Sequence, residues 1–179
     1  MIAKLLTQLR GWLNSKLIPW FTPYWEARKL HEGSPHGLFS RGNGLYRART
    51  SAEVEAAANC PRLARAVQLY EECLAREQSE GRPLNFGIAL HQLGLVRHRQ
   101  GKLDAAEKAY EGALDILEDL PHAEALPAIS TCHFRLAEIL LERGKKQVAS
   151  EHLEKSRSID ENLNDRGGLV MSCELRRLL

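Results

Sequence analysis

The sequence predicts an all-α fold, a short α-solenoid of helical hairpins that follows an N-terminal arm. From residue 51 onward, apolar residues recur at the spacing of one helix face, and no stretch alternates with the period of a strand. Glycine and proline interrupt this pattern at short intervals, as expected for turns between helices. Residues of similar type also recur 40 or 43 positions apart, which indicates stacked copies of one helical unit.

Length and composition exclude several classes of protein. The 179 residues suffice for one domain with an arm, since a domain commonly holds roughly 100 to 200 residues. Hydrophobic residues at 44% and charged residues at 27% are globular proportions, which excludes a disordered or fibrous chain. The longest apolar stretch, 17–21, is far shorter than the about 18 residues of a membrane span. A net charge of +2 argues against a general nucleic-acid binder.

The small net charge hides an asymmetry between two parts of the chain. Residues 1–50 carry eight Lys or Arg against two Glu, a net charge of +6, whereas residues 51–179 carry 17 against 21 acidic residues, a net charge of −4. All three Trp lie within the first 25 residues. This asymmetry indicates an arm with its own partner. We therefore divide the chain into a basic aromatic arm, 1–50, and a helical repeat domain, 51–179.

The arm is predicted to begin with an amphipathic helix over about residues 2–18. Leucines recur there at helical spacing, Lys4, Arg10 and Lys16 lie elsewhere on the helical wheel, and Pro19 ends the segment. Residues 19–50 are rich in Gly, Pro and aromatic side chains and are predicted to be irregular. The residues expected to anchor the arm are Leu6, Leu9, Trp12, Leu13, Trp20, Phe21 and Trp25.

Three roles for the arm remain open from sequence. The first is attachment to a multi-subunit protein assembly, with ordering on binding. The second is contact with a membrane surface through residues 1–25, because Trp and basic residues suit an interfacial helix. The third is capping of the open end of the solenoid, which can coexist with either. Under the first role, removing residues 1–50 is expected to leave a folded helical body.

The helices of residues 51–179 follow from their caps and breaks. Thr50 and Glu53 form a capping box that opens a short Ala-rich helix ending near Asn59. Pro61 suits the first turn of the next helix, which Gly81 ends. Further helices are predicted over about 84–99, 103–118, 124–143 and 145–162, with a C-terminal capping helix over about 168–179.

Self-similarity places these helices in repeats. At a spacing of 43 the matched pairs are Leu93 with Leu136, Gly94 with Ala137, Gly101 with Gly144, Ala106 with Ala149 and Tyr110 with Leu153. At a spacing of 40 they are Ala66 with Ala106, Tyr70 with Tyr110, Cys73 with Ala113 and Leu74 with Leu114. Small residues at such positions allow two helices to approach closely.

The central copy resembles the tetratricopeptide repeat family. The segment Leu90-x-x-Leu93-Gly94, followed by Gly101-x-Leu103-x-x-Ala106-x-x-x-Tyr110-x-x-Ala113-Leu114, is similar to the family pattern. Leu90 stands at the family's Trp and Arg97 at its Tyr. The spacing of 40 to 43 exceeds the usual repeat of about 34 residues and resembles the long repeats of kinesin light chains.

The resemblance implies a non-catalytic protein–protein interaction scaffold or adaptor, acting as a subunit or assembly factor of a larger complex and needing no cofactor. In this family the first helix of each hairpin lines a concave groove. The implied groove residues are Ile88, His91, Leu95, His98, Arg99, Thr131, Phe134, Arg135, Glu138 and Leu141. Leu95 stands where chaperone-binding members carry Asn, so capture of a C-terminal carboxylate is not expected. An equal alternative is that the chain's own arm fills part of this groove.

Catalytic and metal sites are not predicted. His91 and His98 lie seven positions apart, whereas zinc helices space their ligands three or four apart, and each histidine is expected to be a solvated or hydrogen-bonded surface residue. Cys132 adjoins His133, but adjacent helical residues point in different directions. The four cysteines are scattered along the chain, which indicates reduced thiols and a cytoplasmic or similar reducing compartment; they are Cys60, Cys73, Cys132 and Cys173. If the arm contacts a membrane surface, the protein is expected to be peripheral to that membrane. A mitochondrial location is a further option, because the first 18 residues are basic and amphipathic.

Overall fold

The computed structural model describes residues 23–32, 40–42, 45–47 and 50–179. Residues 23–32 form a helix, α1, and a short antiparallel hairpin of β1 (Ser40–Gly42) and β2 (Leu45–Arg47) follows, with Gly42 opposite Leu45. From residue 50 to the end, the regular structure is helical throughout, as predicted. The helices are α2 (Ser51–Ala58), α3 (Pro61–Ser79), α4 (Pro83–Arg99), α5 (Leu103–Leu117), α6 (Leu126–Glu142), α7 (Lys146–Leu163) and α8 (Arg166–Arg176), with a 3₁₀ turn at Ala123–Ala125 before α6.

The described part of the arm is more regular than the sequence predicts. The prediction that residues 19–50 are irregular is wrong for 23–32, which are helical, and for the two strands. Gly and Pro near these residues obscured the helix, although Pro23 sits at its start, where a missing N–H costs nothing. The predicted helix over 2–18 lies outside the described residues.

The repeat domain is a stack of antiparallel helical hairpins. The main pairs are α4 with α5 and α6 with α7, while α3 packs on α4, α5 on α6 and α8 on α7. Gly101 and Gly144 make the turns within the two hairpins with φ of 73° and 72°. This left-handed conformation favours glycine, since a Cβ would crowd the backbone. The all-α solenoid of hairpins predicted from sequence is confirmed.

The apolar core is divided along the stack. One cluster joins α1, α2, α3 and α4 around Leu63 and Tyr70, a second joins the central hairpins around Tyr110 and Leu136, and a third joins α6, α7 and α8 around Leu153 and Leu175. Each hairpin therefore buries its apolar face on its neighbours, as in other solenoids.

The two ends of the repeat domain are fixed by side-chain caps. Thr50 and Glu53 form the predicted capping box on α2, with the Thr50 N–H 2.6 Å from Glu53 Oε2. The C-terminal helix begins earlier than predicted, because Asp165 Oδ1 accepts hydrogen bonds from the N–H groups of Gly167 and Gly168 and caps α8 there.

A buried polar network holds α8 in place. The Ser130 hydroxyl of α6 donates to the carboxylate of Asp160 on α7 and lies 3.1 Å from Ser156 Oγ. A Cβ at Gly168 would overlap the Asp160 carboxylate, so α8 approaches α7 at a distance that a larger residue would not permit. Three helices are thus joined at one polar point in an apolar core.

Candidate protein-binding groove

The close packing of α4 on α5 in the central hairpin determines which side of α4 can line a groove. A Cβ at Gly94 would lie 2.5 Å from Tyr110 Cε1, so the α4 backbone rests directly on the tyrosine ring. At the other end of the hairpin, a Cβ at Gly87 would lie 2.6 Å from Leu117. One side of α4 therefore faces α5, and the side that carries Leu95 and Arg99 is available to form a groove with α6.

The second hairpin repeats this arrangement with different residues. Ala137 and Leu153, which match Gly94 and Tyr110 in sequence, are both buried between α6 and α7. The helix α6 contacts α4, so the first helices of the two hairpins lie side by side. This pair of helices forms what we call the groove face.

The helix α1 lies beside α4 and occupies the position of the first helix of a hairpin, with α3 as the second helix. Its Ala27 is fully buried, and one turn to either side Tyr24 and His31 place their ring centroids 5.8 and 5.9 Å from that of Tyr70. In the central hairpin, His98 stands four residues after Gly94, and its ring centroid lies 6.3 Å from that of Tyr110. Thus α1 packs on α3 as α4 packs on α5, with residues 33–60 inserted between the two helices.

Hydrogen bonds fix α1 against the groove face. His31 Nδ1 lies 3.2 Å from the Tyr70 hydroxyl, and Arg99 Nη1 donates to the His31 carbonyl oxygen. The His31 side chain is buried, and this desolvation, with the nearby charges of Arg99 and Arg28, lowers its pKa to about 3. His31 is therefore neutral at physiological pH. Residues 23–32 of the arm therefore lie beside α4 at one end of the groove face and continue its row of first helices.

The residues predicted to line the groove fall into two groups. Six are half-buried and remain partly accessible on the first helices, namely Ile88, Leu95, Arg99, Thr131, Arg135 and Leu141. Four are buried, namely His91, His98, Phe134 and Glu138. The prediction of surface histidines is wrong for His91 and His98, because α4 is covered by α5 on one side and by neighbouring first helices on the other.

The α6 side of the groove face carries a buried ion pair. Arg135 Nη1 donates to both carboxylate oxygens of Glu138, at 2.9 and 2.8 Å, and its guanidinium lies 5.1 Å from the centre of the Phe134 ring. Burial raises the pKa of Glu138 well above its usual value and lowers that of Arg135. The pair therefore sits in a poorly solvated place, where charge-assisted hydrogen bonds are strong.

Of the predicted arm anchors, Trp25 lies in the described part of the chain; Leu6, Leu9, Trp12, Leu13, Trp20 and Phe21 lie outside it. Trp25 is 42% exposed and packs edge-on against Tyr24, with the Arg28 guanidinium 5.2 Å from its ring centre. A large aromatic ring is thus presented at the start of α1 together with a cation.

The histidine of the Cys132–His133 pair belongs to a different cluster. His133 Nε2 lies 2.9 Å from Glu118 Oε1, and its Nδ1 lies 2.9 Å from Nδ1 of His152. Burial raises the pKa of the Cys132 thiol, which makes it a poor nucleophile. Within residues 23–32 and 50–179, no three His, Cys, Asp or Glu side chains are grouped so that they could hold a metal ion.

Sequence reasoning missed Tyr24, Ala27 and His31 as part of the repeat. A signal was present, because Ala27-x-x-x-His31 repeats Gly94-x-x-x-His98 at a distance of 67 positions. That spacing differs from 40 and 43 because the inserted residues separate α1 from α3.

Comparison with family models identifies the helical unit. Residues 85–162 match the tetratricopeptide repeat family. This segment comprises all of α5 and α6 and nearly all of α4 and α7. Residues 85–162 carry tetratricopeptide repeats. Such repeats are typically non-catalytic modules that bind other proteins. No curated protein matched the chain. In the described part of the protein, no helix is both long enough and apolar enough to cross a membrane.

Proposed function

We propose that the protein is a non-catalytic adaptor, a subunit or assembly factor of a larger complex, whose repeats bind a partner on the groove face. The observation that carries this proposal is the docking of α1 through His31 on Tyr70 and Arg99. It extends the row of first helices to three, namely α1, α4 and α6, and so widens the surface that tetratricopeptide repeats present to partners.

Because α1 is docked on the repeat domain, we assign attachment to the larger complex to a smaller part of the arm, residues 1–22 together with Trp25. Because Tyr24 and Ala27 belong to the core of the repeat domain, they stabilise the body and are not available to a second protein. The basic Leu-rich segment before α1 is attached at the edge of the groove face, where Trp25 is exposed. An anchor at this point would hold the groove close to the assembly.

Site-specific crosslinking tests the binding face. A photoreactive residue at Leu95 or Leu141, on the groove face, should join the chain to its partner in cells. The matched control is Lys108, which is exposed on α5 on the opposite side of the central hairpin. Crosslinks from Lys108 with none from the two groove positions would place the partner on the outer surface and reject the proposal.

Truncation tests the anchor separately. A variant of residues 23–179 keeps α1 and should stay folded, yet it should no longer co-purify with the complex. Co-purification at full stoichiometry would reject anchoring by residues 1–22 and leave the groove proposal standing.

A membrane surface is the second candidate partner of the arm. It is favoured by the exposed Trp25 beside Arg28, since Trp and Arg are suited to the lipid headgroup region. Flotation with anionic liposomes decides it: Lys4, Arg10 and Lys16 changed together to Glu should abolish binding. Unchanged flotation of this variant, or none by the wild type, excludes the membrane role.

A further inference from the structure

Two histidines of the second hairpin contact each other across α6 and α7. His133 Nδ1 on α6 lies 2.9 Å from His152 Nδ1 on α7, and the ring centroids are 5.1 Å apart. On the other side of the His133 ring, Nε2 lies 2.9 Å from Oε1 of Glu118, which ends α5. His133 is 2% exposed and His152 is half-buried. One line of three side chains therefore joins three helices.

These contacts determine where the protons of the line lie. A carboxylate only accepts hydrogen bonds, so His133 Nε2 carries a proton and donates it to Glu118. The neutral His133 ring then has a lone pair on Nδ1, which accepts a hydrogen bond from the Nδ1–H group of His152. The two Nδ1 atoms thus share one proton.

A proton on each Nδ1 atom would break this contact. Two N–H groups cannot donate to one another at 2.9 Å, and two imidazolium rings at that distance repel each other. His152 can take an added proton on Nε2 without loss of the hydrogen bond, whereas His133 has only Nδ1 left to protonate. The pair therefore accommodates one added proton and opposes a second.

The surroundings of the pair disfavour added protons as well. Burial is the main cause that lowers the pKa of both His133 and His152, and the charge of Lys155 on α7 lowers both further. Glu118 opposes the lowering of the pKa at both rings, and Glu151 on α7 opposes it at His152. The closed pair is thus neutral at a pH where a solvated histidine would already be protonated.

Acid should therefore favour separation of α6 from α7. Rings that leave the pair become solvated, and their pKa returns towards the ordinary value of about 6.5. The open state then binds more protons than the closed state, so a fall in pH shifts the equilibrium towards it. The thiol of Cys132, beside His133 on α6, has a raised pKa and stays uncharged in this range.

The corresponding positions of the central hairpin are apolar. Forty-three positions before His133 and His152 stand Leu90 and Ala109. Leu90 Cδ1 lies 3.6 Å from the place of a Cβ at Gly112 on α5, and Ala109 is 7% exposed. Neither side chain titrates, so the same helix packing is achieved there without a dependence on pH at these two positions.

We propose that His133 and His152 form a pH-sensitive latch on the second hairpin, closed while their Nδ1 atoms share one proton and open when both rings are protonated. Because α6 lies on the groove face beside α4, opening changes the position of one helix of that face. The latch thus couples proton concentration to the shape of the groove face. It depends on the packing of α6 and α7 and holds whether or not a partner binds there.

Two variants test the latch. His133→Leu combined with His152→Ala copies the residues of the central hairpin and removes both titrating rings. His152→Asn keeps a side-chain N–H donor and removes one ring. Native-state hydrogen exchange of the α6 and α7 amides at a series of pH values, corrected for intrinsic exchange rates, measures the opening equilibrium. In the wild type, the opening constant should rise below about pH 6.5, by at most about tenfold per pH unit for each ring.

This rise should be smaller in His152→Asn and smallest in the double variant. At neutral pH, the imidazole nitrogen-15 spectrum of the wild type should show the proton of His152 on Nδ1 and that of His133 on Nε2. An equal response of the α6 and α7 amides to acid in all three proteins overturns the latch, and so does a spectrum in which both rings carry their proton on Nε2. If the double variant does not fold, His152→Asn and the spectrum decide between the two outcomes.

Discussion

The hydroxyl of Tyr70 lies 3.2 Å from Nδ1 of His31, although 39 positions separate the two residues in the chain. This contact joins the arm to the repeat domain and reproduces the place that His98 takes beside Tyr110. A helix from the N-terminal segment thus pairs with α3 as α4 pairs with α5.

Tyr70→Phe should destabilise the protein by about 1 to 3 kcal/mol, because His31 Nδ1 is left buried without a partner. Urea unfolding followed by circular dichroism measures the change. Tyr110→Phe is the control, since its hydroxyl has no partner, and it should be nearly neutral. Similar losses in both variants would show that the ring environment, and not the contact to His31, sets the cost.

The second prediction concerns the length of the folded unit. Residues 23–179 should unfold as cooperatively as the full chain, whereas residues 33–179 should lose about 3 kcal/mol or more, since Tyr24 and Ala27 are then missing from the core. Thermal unfolding of the two truncated chains gives the comparison. If they are equally stable, α1 is an added segment and does not complete the repeat, and the expectation of a self-sufficient body over 51–179 is supported.

Sequence reasoning succeeded where local signals determine structure. The Thr50–Glu53 cap, the turns at Gly101 and Gly144 and the approach of Gly94 to Tyr110 all follow from residue type and spacing. It failed where structure depends on distant contacts. Neither the burial of His91 and His98 nor the docking of His31 can be read from nearby residues, because each depends on which helix lies against α4.

Gly94→Ala should destabilise the protein by about 1 to 3 kcal/mol through overpacking, because the new methyl group would lie 2.5 Å from Tyr110 Cε1. Gly112→Ala, on α5, is the matched control. Its Cβ would meet Leu90 Cδ1 at 3.6 Å, an ordinary contact, so the better helix propensity of alanine should stabilise the protein by up to about 1 kcal/mol. Chemical denaturation should therefore shift in opposite directions for the two variants. Shifts in the same direction would mean that the close approach of α4 to Tyr110 does not limit residue size.

The final prediction is a dependence of stability on pH. Burial first, and nearby arginines second, lower the pKa of His31 to about 3, while the unfolded chain takes up a proton at about pH 6.5. A lowered histidine pKa means that the unfolded state binds more protons in this interval. The free energy of unfolding should then fall as pH decreases from about 6.5 towards about 3, with a slope of at most about 1.4 kcal/mol per pH unit for this group.

His31→Gln removes one titrating group and should reduce this slope, even though it lowers stability at neutral pH by disturbing the contact with Tyr70. Part of the slope should remain, because burial also lowers the pKa of His91 to about 3. The measurement is urea unfolding at a series of pH values, with the variant and the wild type compared by slope and not by absolute stability. This comparison cancels the opposite contribution of Glu138, whose raised pKa favours the folded state at low pH and is common to both proteins. An unchanged slope in His31→Gln would mean that His31 is solvated or protonated in the native state, which is incompatible with its burial between α1 and α3.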